Sequence, residues 1–373
     1  MKLPTPLLPA MRILLLACLP AIACAGDATT ASTDDGPYVF RTAGDRLESL
    51  WVCDGKVLRQ SQRAARNATV KPRCGYPHPL VVPAQLADPE AVPYSGGRIV
   101  ALSDIHGQYE VALRLLRAHG VVDAGDDWRF GRGHLVVTGD VFDRGPKVNE
   151  TFWLLFQLQR QAAAAGGAVH FLLGNHETMV LYDDLRYVNP KYAEVAKLLG
   201  KPYPALYGPD SVLGGWLRTR PVMLKLGDTL FLHGGIAPQN LELVAELDAT
   251  NAAYDASLGK PRAELKADPA TTRLYDGKTS PIWYRGYFNG QLTTPEVGAL
   301  VDRLGLGRIV VGHTTIGEVA SFHDGRIVAI DSGIKRGERG QLLFIEDGKL
   351  SRGLEDGARE PVPALQEVPD DDD

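Results

Sequence analysis

The chain has 373 residues, of which 45% are hydrophobic and 23% are charged, and its formal net charge is −5. These values lie close to the averages of soluble globular proteins, so they exclude a fibrous or wholly disordered chain. The mildly negative charge also excludes nucleic acid as an expected partner, because polyanion binding relies on clustered positive charge.

Residues 1–25 have the layout of an export signal. Lys2 and Arg12 precede an apolar run of about 11 residues, which is too short to span a bilayer, and the chain then becomes polar. Cleavage after Ala25 would release a soluble protein, whereas cleavage before Cys24 would leave that cysteine for a lipid anchor. The small-residue pattern favours soluble release. Either route predicts a periplasmic or secreted protein. A lipid anchor at Cys24 is the open alternative to soluble release.

Residues 26–97 mix short apolar stretches with proline, glycine and two cysteines. They predict a small N-terminal accessory segment that packs on the main domain. Cys53 and Cys74 are the only cysteines after residue 25. Export to an oxidising compartment favours a disulfide between them over two free thiols.

Residues 98–350 alternate between short apolar runs and amphipathic stretches, which predicts an α/β domain. The predicted strands are 98–102, 134–138, 169–173, 229–232, 308–311 and 326–330. The predicted helices are 110–117, 148–165, 192–199, 241–248 and 294–304. A hairpin pattern at 222–232 favours mixed sheets with helices outside over one parallel sheet. The acidic residues 351–373 are expected to form a flexible tail.

Polar clusters that are rich in potential metal ligands follow directly after the apolar strands. They are Ser103-Asp104-Ile105-His106-Gly107, Gly139-Asp140-Val141-Phe142-Asp143-Arg144-Gly145, Gly174-Asn175-His176-Glu177, His233-Gly234-Gly235 and Gly312-His313-Thr314. The carboxyl ends of strands are where open α/β sheets bind ligands. One such cluster alone is equally well explained as a turn or a capped core group. Five in succession indicate a single site.

The residue types in these clusters suit a pair of metal ions. Asp104 and His106 are two residues apart, so on an extended segment they point the same way and can chelate one ion. The carboxylate of Asp140 can bridge two cations about 3.5–4 Å apart, a separation that suits in-line displacement at phosphorus. The remaining oxygen and nitrogen donors are Asn175, His233 and His313. This mixed set favours Mn, Fe or Zn over Mg or Ca.

Together the motifs resemble those of the calcineurin-like metallophosphoesterases, within the phosphoprotein phosphatase superfamily, over residues 98–335. The unbroken run from Asp140 to Gly145 and the isolated Gly312-His313-Thr314 are most similar to the bacterial Shewanella-like protein phosphatases. The resemblance implies a two-sheet metallophosphoesterase sandwich flanked by helices. It also implies two divalent metal ions. The implied ligand sets are Asp104, His106 and Asp140 for one ion, and Asp140, Asn175, His233 and His313 for the other.

The resemblance further implies catalytic roles. His176 is expected to be the general acid, Asp143 to orient it, and Arg144 to bind phosphate. A second phosphate-binding arginine is expected between the last two histidine ligands, where Arg285 lies. The competing arginines in the same part of the chain are Arg262, Arg273 and Arg303.

These features predict a metal-dependent phosphatase that hydrolyses phosphomonoesters by direct attack of a metal-bridging hydroxide. The expected substrate is a protein phosphorylated on tyrosine or serine/threonine, or a small phosphoester. Two alternatives stay open: a dinucleoside-polyphosphate hydrolase or phosphodiesterase with the same metals, and an inactive surface lipoprotein that binds phosphorylated ligands. The complete ligand sets favour an active enzyme. Asp331-Ser332-Gly333 stands where the eukaryotic serine/threonine enzymes carry a tyrosine-containing signature, so their substrate preference is not inherited.

Overall fold

The computed structural model describes residues 1–2, 33–85, 94 and 96–368. Contacts between residues divide the chain into two units, Met1–Ala31 and Ser32–Asp373. Apart from Met1 and Lys2, the predicted signal and its processing site, including Cys24, lie outside the described residues. Among the residues that are described, no helix is long and apolar enough to cross a membrane.

The second unit combines strands with helices in the order expected of an α/β domain. The strands are β1 (Asp35–Thr42), β2 (Arg46–Cys53), β3 (Lys56–Arg63), β4 (Asn67–Val70), β5 (Leu80–Pro83), β6 (Ile99–Leu102), β7 (His134–Val137), β8 (Ala168–Phe171), β9 (Met223–Leu226), β10 (Thr229–Leu232), β11 (Arg308–Val311), β12 (Ala320–Phe322), β13 (Ile327–Ala329), β14 (Leu342–Glu346), β15 (Lys349–Gly353) and β16 (Arg359–Pro361). The α-helices are α1 (Tyr109–Ala118), α2 (Val148–Ala164), α3 (Asn175–Leu181), α4 (Pro190–Leu199), α5 (Val212–Leu217), α6 (Glu242–Ala245), α7 (Leu247–Ser257), α8 (Arg262–Ala267), α9 (Pro269–Thr272) and α10 (Thr294–Arg303).

Two mixed sheets form the centre of the unit. One has six strands in the order β16-β15-β14-β6-β7-β8, and the other has five in the order β12-β13-β11-β10-β9. The strands β6, β7 and β8 run parallel, as do β10, β11 and β13. The predicted hairpin of β9 and β10 is present as an antiparallel pair. The predicted two-sheet α/β architecture is therefore confirmed.

The side chains of β6 show why both faces of the sheet are buried. Ile99 and Ala101 belong to an apolar cluster that also contains Phe231 of β10 and Val310 of β11, so this cluster lies between the two sheets. Val100 points the opposite way, because side chains alternate along a strand, and joins the larger cluster that includes the helices. Strands covered on both faces are apolar throughout, which is the pattern that identified them in the sequence.

The N-terminal segment forms an antiparallel sheet of β1, β2 and β3, with β4 and β5 as a separate pair. It packs on the helices of the main domain, since the indole nitrogen of Trp153 in α2 donates to the carbonyl of Pro37 at 2.8 Å. The backbone nitrogen of Arg41 donates to the carbonyl of Asp210 at 2.8 Å. The disulfide expected between Cys53 and Cys74 is present.

The expectation of a flexible tail over 351–373 is wrong for the part that the structure describes. The residues up to Gly353 complete β15, and β16 pairs antiparallel with that strand. Beyond it, the backbone nitrogen of Leu365 donates to the carbonyl of Ser321 at 2.8 Å. Charged side chains such as that of Glu360 lie on an edge strand, where charge discourages pairing with other chains. An edge strand of this kind resembles a solvated tail in composition alone.

Candidate metal centre

The carboxyl ends of β6, β7, β10 and β11 meet beside the start of α3, and this arrangement brings the predicted ligands together. All of them are buried, and they are Asp104, His106, Asp140, Asn175, His233 and His313. Two overlapping groups have ligand atoms within 4.8 Å of one another. The first group is His106, Asp140 and His176, and the second is Asp140, His233 and His313. Asp140 is common to both groups, as a bridging carboxylate must be.

The first predicted ligand set is assembled around His106. Its Nε2 atom lies 3.9 Å from Oδ1 of Asp104 and 3.7 Å from Oδ2 of Asp140. The other carboxylate oxygen of Asp104 accepts hydrogen bonds from Ser103 Oγ at 2.5 Å and from the backbone nitrogen of His313 at 3.0 Å. Ser103 therefore orients Asp104 by a hydrogen bond.

The second predicted set is equally compact. The Nε2 atom of His233 lies 2.9 Å from Oδ1 of Asn175 and 3.1 Å from Oδ2 of Asp140. The ring of His313 lies 4.9 Å from that of His233, measured between centroids. The absence of a side chain at Gly312 lets the segment before His313 lie close to Ser103, because a Cβ atom there would be 2.0 Å from Ser103 Oγ.

The hydrogen bonds of the histidines fit metal ligation. Nδ1 of His106 donates to the carbonyl of Phe142, and Nδ1 of His233 donates to the carbonyl of Thr138, each at 2.7 Å. This directs Nε2 of both rings into the cluster, and Nε2 is the nitrogen through which each ring would bind a metal. Nε2 of His313 is buried and has no hydrogen-bond partner among the described residues. Nitrogen and oxygen donors in this arrangement are what two divalent ions require.

The electrostatics of the cluster also favour cations. Burial, together with the positive charge of neighbouring groups, lowers the pKa of His106 and of His313 and keeps both rings neutral, the form that binds metal. Burial acts in the same direction on His233, but Asp140 and Asp104 outweigh it and raise the pKa of His233 to about 9. The buried carboxylates therefore hold negative charge that bound cations would balance.

His176 and Asp143 form the hydrogen-bonded pair that was predicted. Nδ1 of His176 bonds to Oδ2 of Asp143, while its Nε2 faces the cluster 3.8 Å from Oδ2 of Asp140. Burial opposes the charged form of His176, but Asp140 and Asp143 outweigh burial and raise its pKa. The pair thus places a proton donor on the side of the cluster that faces solvent.

Glu177 is a functional residue to which the sequence reasoning gave no role. Its side chain is buried and accepts hydrogen bonds from the backbone nitrogens of Asp140 and Val141 at 2.8 Å and of Gly174 at 2.7 Å. These bonds fasten the loop after β7 to the start of α3, so Glu177 positions Asp140. Its position next to His176, in a motif that carries a predicted ligand, is the feature of the sequence that could have indicated this role.

Two arginines line a cavity of about 560 Å³ that opens over the cluster. Arg144 is exposed within this lining. Nη1 of Arg285 donates to the carbonyl of His313 at 2.7 Å and to Thr314 Oγ1 at 3.2 Å. The structure thus places both predicted phosphate-binding arginines at the cluster.

The competing arginines lie elsewhere. Arg273 pairs with Glu242 at 2.9 Å, and Arg303 is exposed at the end of α10. Arg262 lines a neighbouring cavity instead. Their positions leave Arg285 as the arginine of this interval that lines the cavity over the cluster.

Several cavity residues lie outside the motifs and were not anticipated. Tyr187 is 44% exposed, although its ring lies 5.3 Å from that of His176 and 5.5 Å from the guanidinium of Arg144. Trp283 lies across the cavity, with its ring 5.5 Å from that of His313. Two charged residues, Asp331 and Lys335, also line the cavity without a predicted role. The sequence offered no local signal for them, because they reach the site only through the fold.

Comparisons with known proteins agree with this geometry. The model of the family described as calcineurin-like phosphoesterase matches residues 97–316. The crystal structure of a cold-active protein-tyrosine phosphatase of a psychrophilic Shewanella species is 39% identical, with a TM-score of 0.81, over 88% of this chain and 98% of that one. Shewanella-like protein phosphatase 2 of Arabidopsis thaliana is 25% identical over 64% of this chain and 72% of its own length. A symmetrical bis(5'-nucleosyl)-tetraphosphatase of Chromobacterium violaceum is 30% identical over 68% of this chain and 93% of its own length.

Proposed function

The chain belongs to the calcineurin-like phosphoesterase family and is a metal-dependent phosphatase, and we propose that it removes phosphate from proteins, with phosphotyrosine as the preferred residue. One observation carries the proposal. Two overlapping ligand groups share Asp140 beneath a cavity that also holds a histidine–aspartate pair and two arginines.

We assign the metal ligands as the sequence predicted. One ion would be held by Asp104, His106 and Asp140, and the other by Asp140 with the remaining donors, which are Asn175, His233 and His313. Bound divalent ions supply a nucleophilic water at neutral pH and neutralise charge on the phosphoryl group. The histidine-rich donor set favours Mn, Fe or Zn as their identity.

The protein's own residues bind the phosphate and move a proton. Arg144 and Arg285 both line the cavity and would hold the phosphoryl oxygens. Asp143 holds Nδ1 of His176, so Nε2 of His176 faces the position of the leaving-group oxygen and donates a proton to it. Hydrolysis proceeds without a covalent phosphoenzyme.

Two observations support the proposed preference for phosphotyrosine: the position of Tyr187 and the similarity to the Shewanella phosphatase. The exposed Tyr187 ring lies beside His176, the residue that protonates the leaving group, so the leaving group passes next to an aromatic face. A phenolate stacks on such a face, whereas the short alkoxide of serine does not reach it. The 39% identical relative is described as a protein-tyrosine phosphatase.

The second candidate is hydrolysis of dinucleoside polyphosphates, which the tetraphosphatase of C. violaceum supports. A purified-enzyme panel separates the two candidates. It contains a phosphotyrosine peptide, a phosphoserine peptide, diadenosine tetraphosphate and a cyclic nucleotide, each with enzyme loaded with Mn, Fe or Zn. We expect phosphate release to be fastest from the phosphotyrosine peptide. Fastest cleavage of the tetraphosphate would establish the second candidate instead.

Two substitutions test the mechanism. Asp140→Asn should abolish nearly all turnover, because both ligand groups depend on that carboxylate. His176→Asn should reduce the rate on the phosphotyrosine peptide about 10²-fold through loss of the general acid. Turnover near that of the wild type in both variants would refute these roles. An inactive wild type that nevertheless binds metal and phosphopeptide would support the alternative of a binding lipoprotein.

We also propose that the protein acts outside the cytoplasm. The export pattern of residues 1–25 supports this location, and so does the Cys53–Cys74 disulfide, because disulfides persist in oxidising compartments. Mass spectrometry of the mature N-terminus decides the processing route. A free amino terminus following Ala25 is expected, and a diacylated Cys24 would indicate a lipid anchor.

A further inference from the structure

A second cavity, also of about 560 Å³, adjoins the one over the metal ligands. Trp283 lines both cavities, so it stands between the phosphate site and the second space. The outer walls of the second cavity come from the end of α3, from α8 and α9, and from the segment that follows α9. The residues that form these outer walls have no role in the proposed chemistry.

The walls of the second cavity combine aromatic and aliphatic surface. Tyr182, Leu265 and Tyr275 line it together with Trp283. The hydroxyl of Tyr275 is hydrogen-bonded to Ser257 at 2.7 Å, so its ring is held in place. Such a surface suits the side chains and backbone of an extended peptide.

The charged residues of the second cavity are mainly basic. Lys266 is exposed there, and among the described residues its Nζ atom has no hydrogen-bond or ion-pair partner. Arg262 contacts Asp184 at only 3.5 Å, because Asp184 already forms two shorter bonds, at 2.8 and 2.9 Å, with Arg186. The Nζ atom of Lys266 is therefore open to a ligand, and Arg262 combines a long contact to Asp184 with a guanidinium 5.7 Å from the Tyr182 ring centroid.

The one carboxylate in this lining belongs to Asp276, and it accepts hydrogen bonds from residues of the same turn. Oδ1 of Asp276 accepts hydrogen bonds from the backbone nitrogens of Lys278 at 3.0 Å and Thr279 at 2.8 Å, and from Thr279 Oγ1 at 2.8 Å. Two cations and one carboxylate give the lining a net positive charge in a chain whose net charge is −5. A ligand with a carboxylate is the chemical complement.

We propose that the second cavity binds the polypeptide beside the phosphorylated residue and selects a Glu or Asp side chain there. The inference rests on the proposed protein-phosphatase activity and adds a sequence preference to it. A sphere of 560 Å³ is about 10 Å across, which about three residues of extended chain span. The preferred acidic residue accordingly lies about three positions from the phosphotyrosine.

Metal-loaded full-length protein tests the inference with phosphotyrosine peptides in which one Glu is moved through positions −4 to +4 of an otherwise neutral sequence. The readout is kcat/KM for each peptide relative to para-nitrophenyl phosphate, which is too small to reach the second cavity. We expect one Glu position to raise this ratio about five- to tenfold over the neutral peptide. Lys266→Glu and Arg262→Glu should each remove that gain and leave hydrolysis of para-nitrophenyl phosphate unchanged.

Lys260→Glu is the matched control, because it makes the same charge change just before α8 and outside the cavity. Binding of a non-hydrolysable phosphonate peptide, followed by fluorescence anisotropy, should show the same order of variants. A wild type indifferent to the position of Glu would overturn the inference, and so would an equal loss in the Lys260→Glu variant. Failure of every phosphopeptide while para-nitrophenyl phosphate is still hydrolysed would instead refute the proposed protein-phosphatase function.

Discussion

Residues at the metal centre adopt a backbone conformation that side chains other than glycine rarely take. Those with a positive φ are Asp104 at 52°, His106 at 48°, Asp140 at 58°, Asp143 at 74°, Arg144 at 61° and His313 at 65°. Each such residue costs about 1–3 kcal/mol unless the surroundings hold it in place, and such residues cluster at functional sites. Here buried hydrogen bonds hold them, including those that Glu177 accepts from the loop after β7. The positive φ values accompany the convergence of the proposed ligand atoms in one cluster.

Tyr187 is the residue on which aromatic substrate preference should depend. Tyr187→Ala removes the ring beside His176, and we expect kcat/KM for a phosphotyrosine peptide to fall about three- to tenfold, the range of one aromatic contact. The value for a matched phosphoserine peptide should stay within twofold. Tyr187→Phe keeps the ring and should keep the preference. An equal loss on both peptides would show that Tyr187 supports Arg144 or His176 rather than the substrate.

The convergence of the proposed ligands could be predicted from the sequence because each follows an apolar strand within a compact motif. The donor atoms of Asp104 and His106, for example, lie on one short segment, and their spacing alone suggests chelation. Tyr187 and Trp283 belong to no motif, and only the path of the chain brings them to the cavity. The same reason explains why Arg262, a weak candidate for phosphate binding, lines the second cavity instead.

At the scale of elements, buried parallel strands were easier to predict than exposed ones. All four residues of β6 and of β7 are buried, and such strands appear in the sequence as apolar runs. The strand β3 exposes most of its side chains, and its polar sequence gave no strand signal. The segment starting at Asn175, for which the sequence predicts only a polar cluster after a strand, is the first turn of α3. That helix has seven residues, too few for a clear helical period.

A buried charged cluster joins β1 to the helices α2 and α4. Asp35 and Glu150 are both buried, and Nζ of Lys191 lies 3.7 Å from Oδ1 of Asp35. The hydroxyl of Tyr38 donates to the other oxygen of Asp35 at 2.7 Å. Oε2 of Glu150 has no hydrogen-bond partner among the described residues. The other titratable groups that act on or respond to Glu150 are Lys147, Tyr109, Tyr192 and Tyr207.

The stability of the fold should depend on the ionisation of Glu150. Burial, aided by Asp35, raises its pKa to about 8 from the ordinary 4.5. The native state keeps this proton between those values while the unfolded chain loses it. The free energy of unfolding therefore falls as pH rises from about 4.5 to about 8, by at most about 5 kcal/mol. Glu150→Gln should match the wild type near pH 5 and exceed its stability above pH 8 in urea unfolding. Parallel pH curves for the two proteins would contradict this.

The N-terminal sheet should depend on the Cys53–Cys74 disulfide, which closes a loop with a sequence separation of 21 residues. Opening a loop of this length costs about 3 kcal/mol in the chain-entropy account. We expect a reductant to lower the free energy of unfolding of the wild type by about that amount in denaturant titrations. The double variant Cys53→Ser with Cys74→Ser should be less stable and indifferent to reductant. Equal sensitivity of both proteins to reductant would exclude the disulfide as the cause.

At the scale of the whole molecule, the metal centre spans the two sheets. Asp104, His106 and Asp140 follow strands of the six-stranded sheet, whereas His233 and His313 follow strands of the five-stranded sheet. A hydrogen bond from the backbone of His313 to Asp104 already crosses between them. Metal binding by these proposed ligands would be coupled to the packing of the whole domain, because they come from both sheets.

Metal removal should therefore destabilise the protein as well as inactivate it. A ligand present at a hundred times its dissociation constant stabilises the native state by about 2.7 kcal/mol, and chelation should remove that contribution from each site. We expect the thermal unfolding midpoint to fall with chelator and to recover when Mn, Fe or Zn is added back. Asp140→Asn disturbs both ligand groups, so the unfolding midpoint of this variant should respond only weakly to chelator and to added metal. Its metal content, measured by elemental analysis, should be low. A wild type that binds no metal under loading conditions, with an unchanged midpoint, would show that the converging side chains do not form a metal site. Because the midpoint is measured without substrate, this outcome is independent of which phosphoester the enzyme hydrolyses.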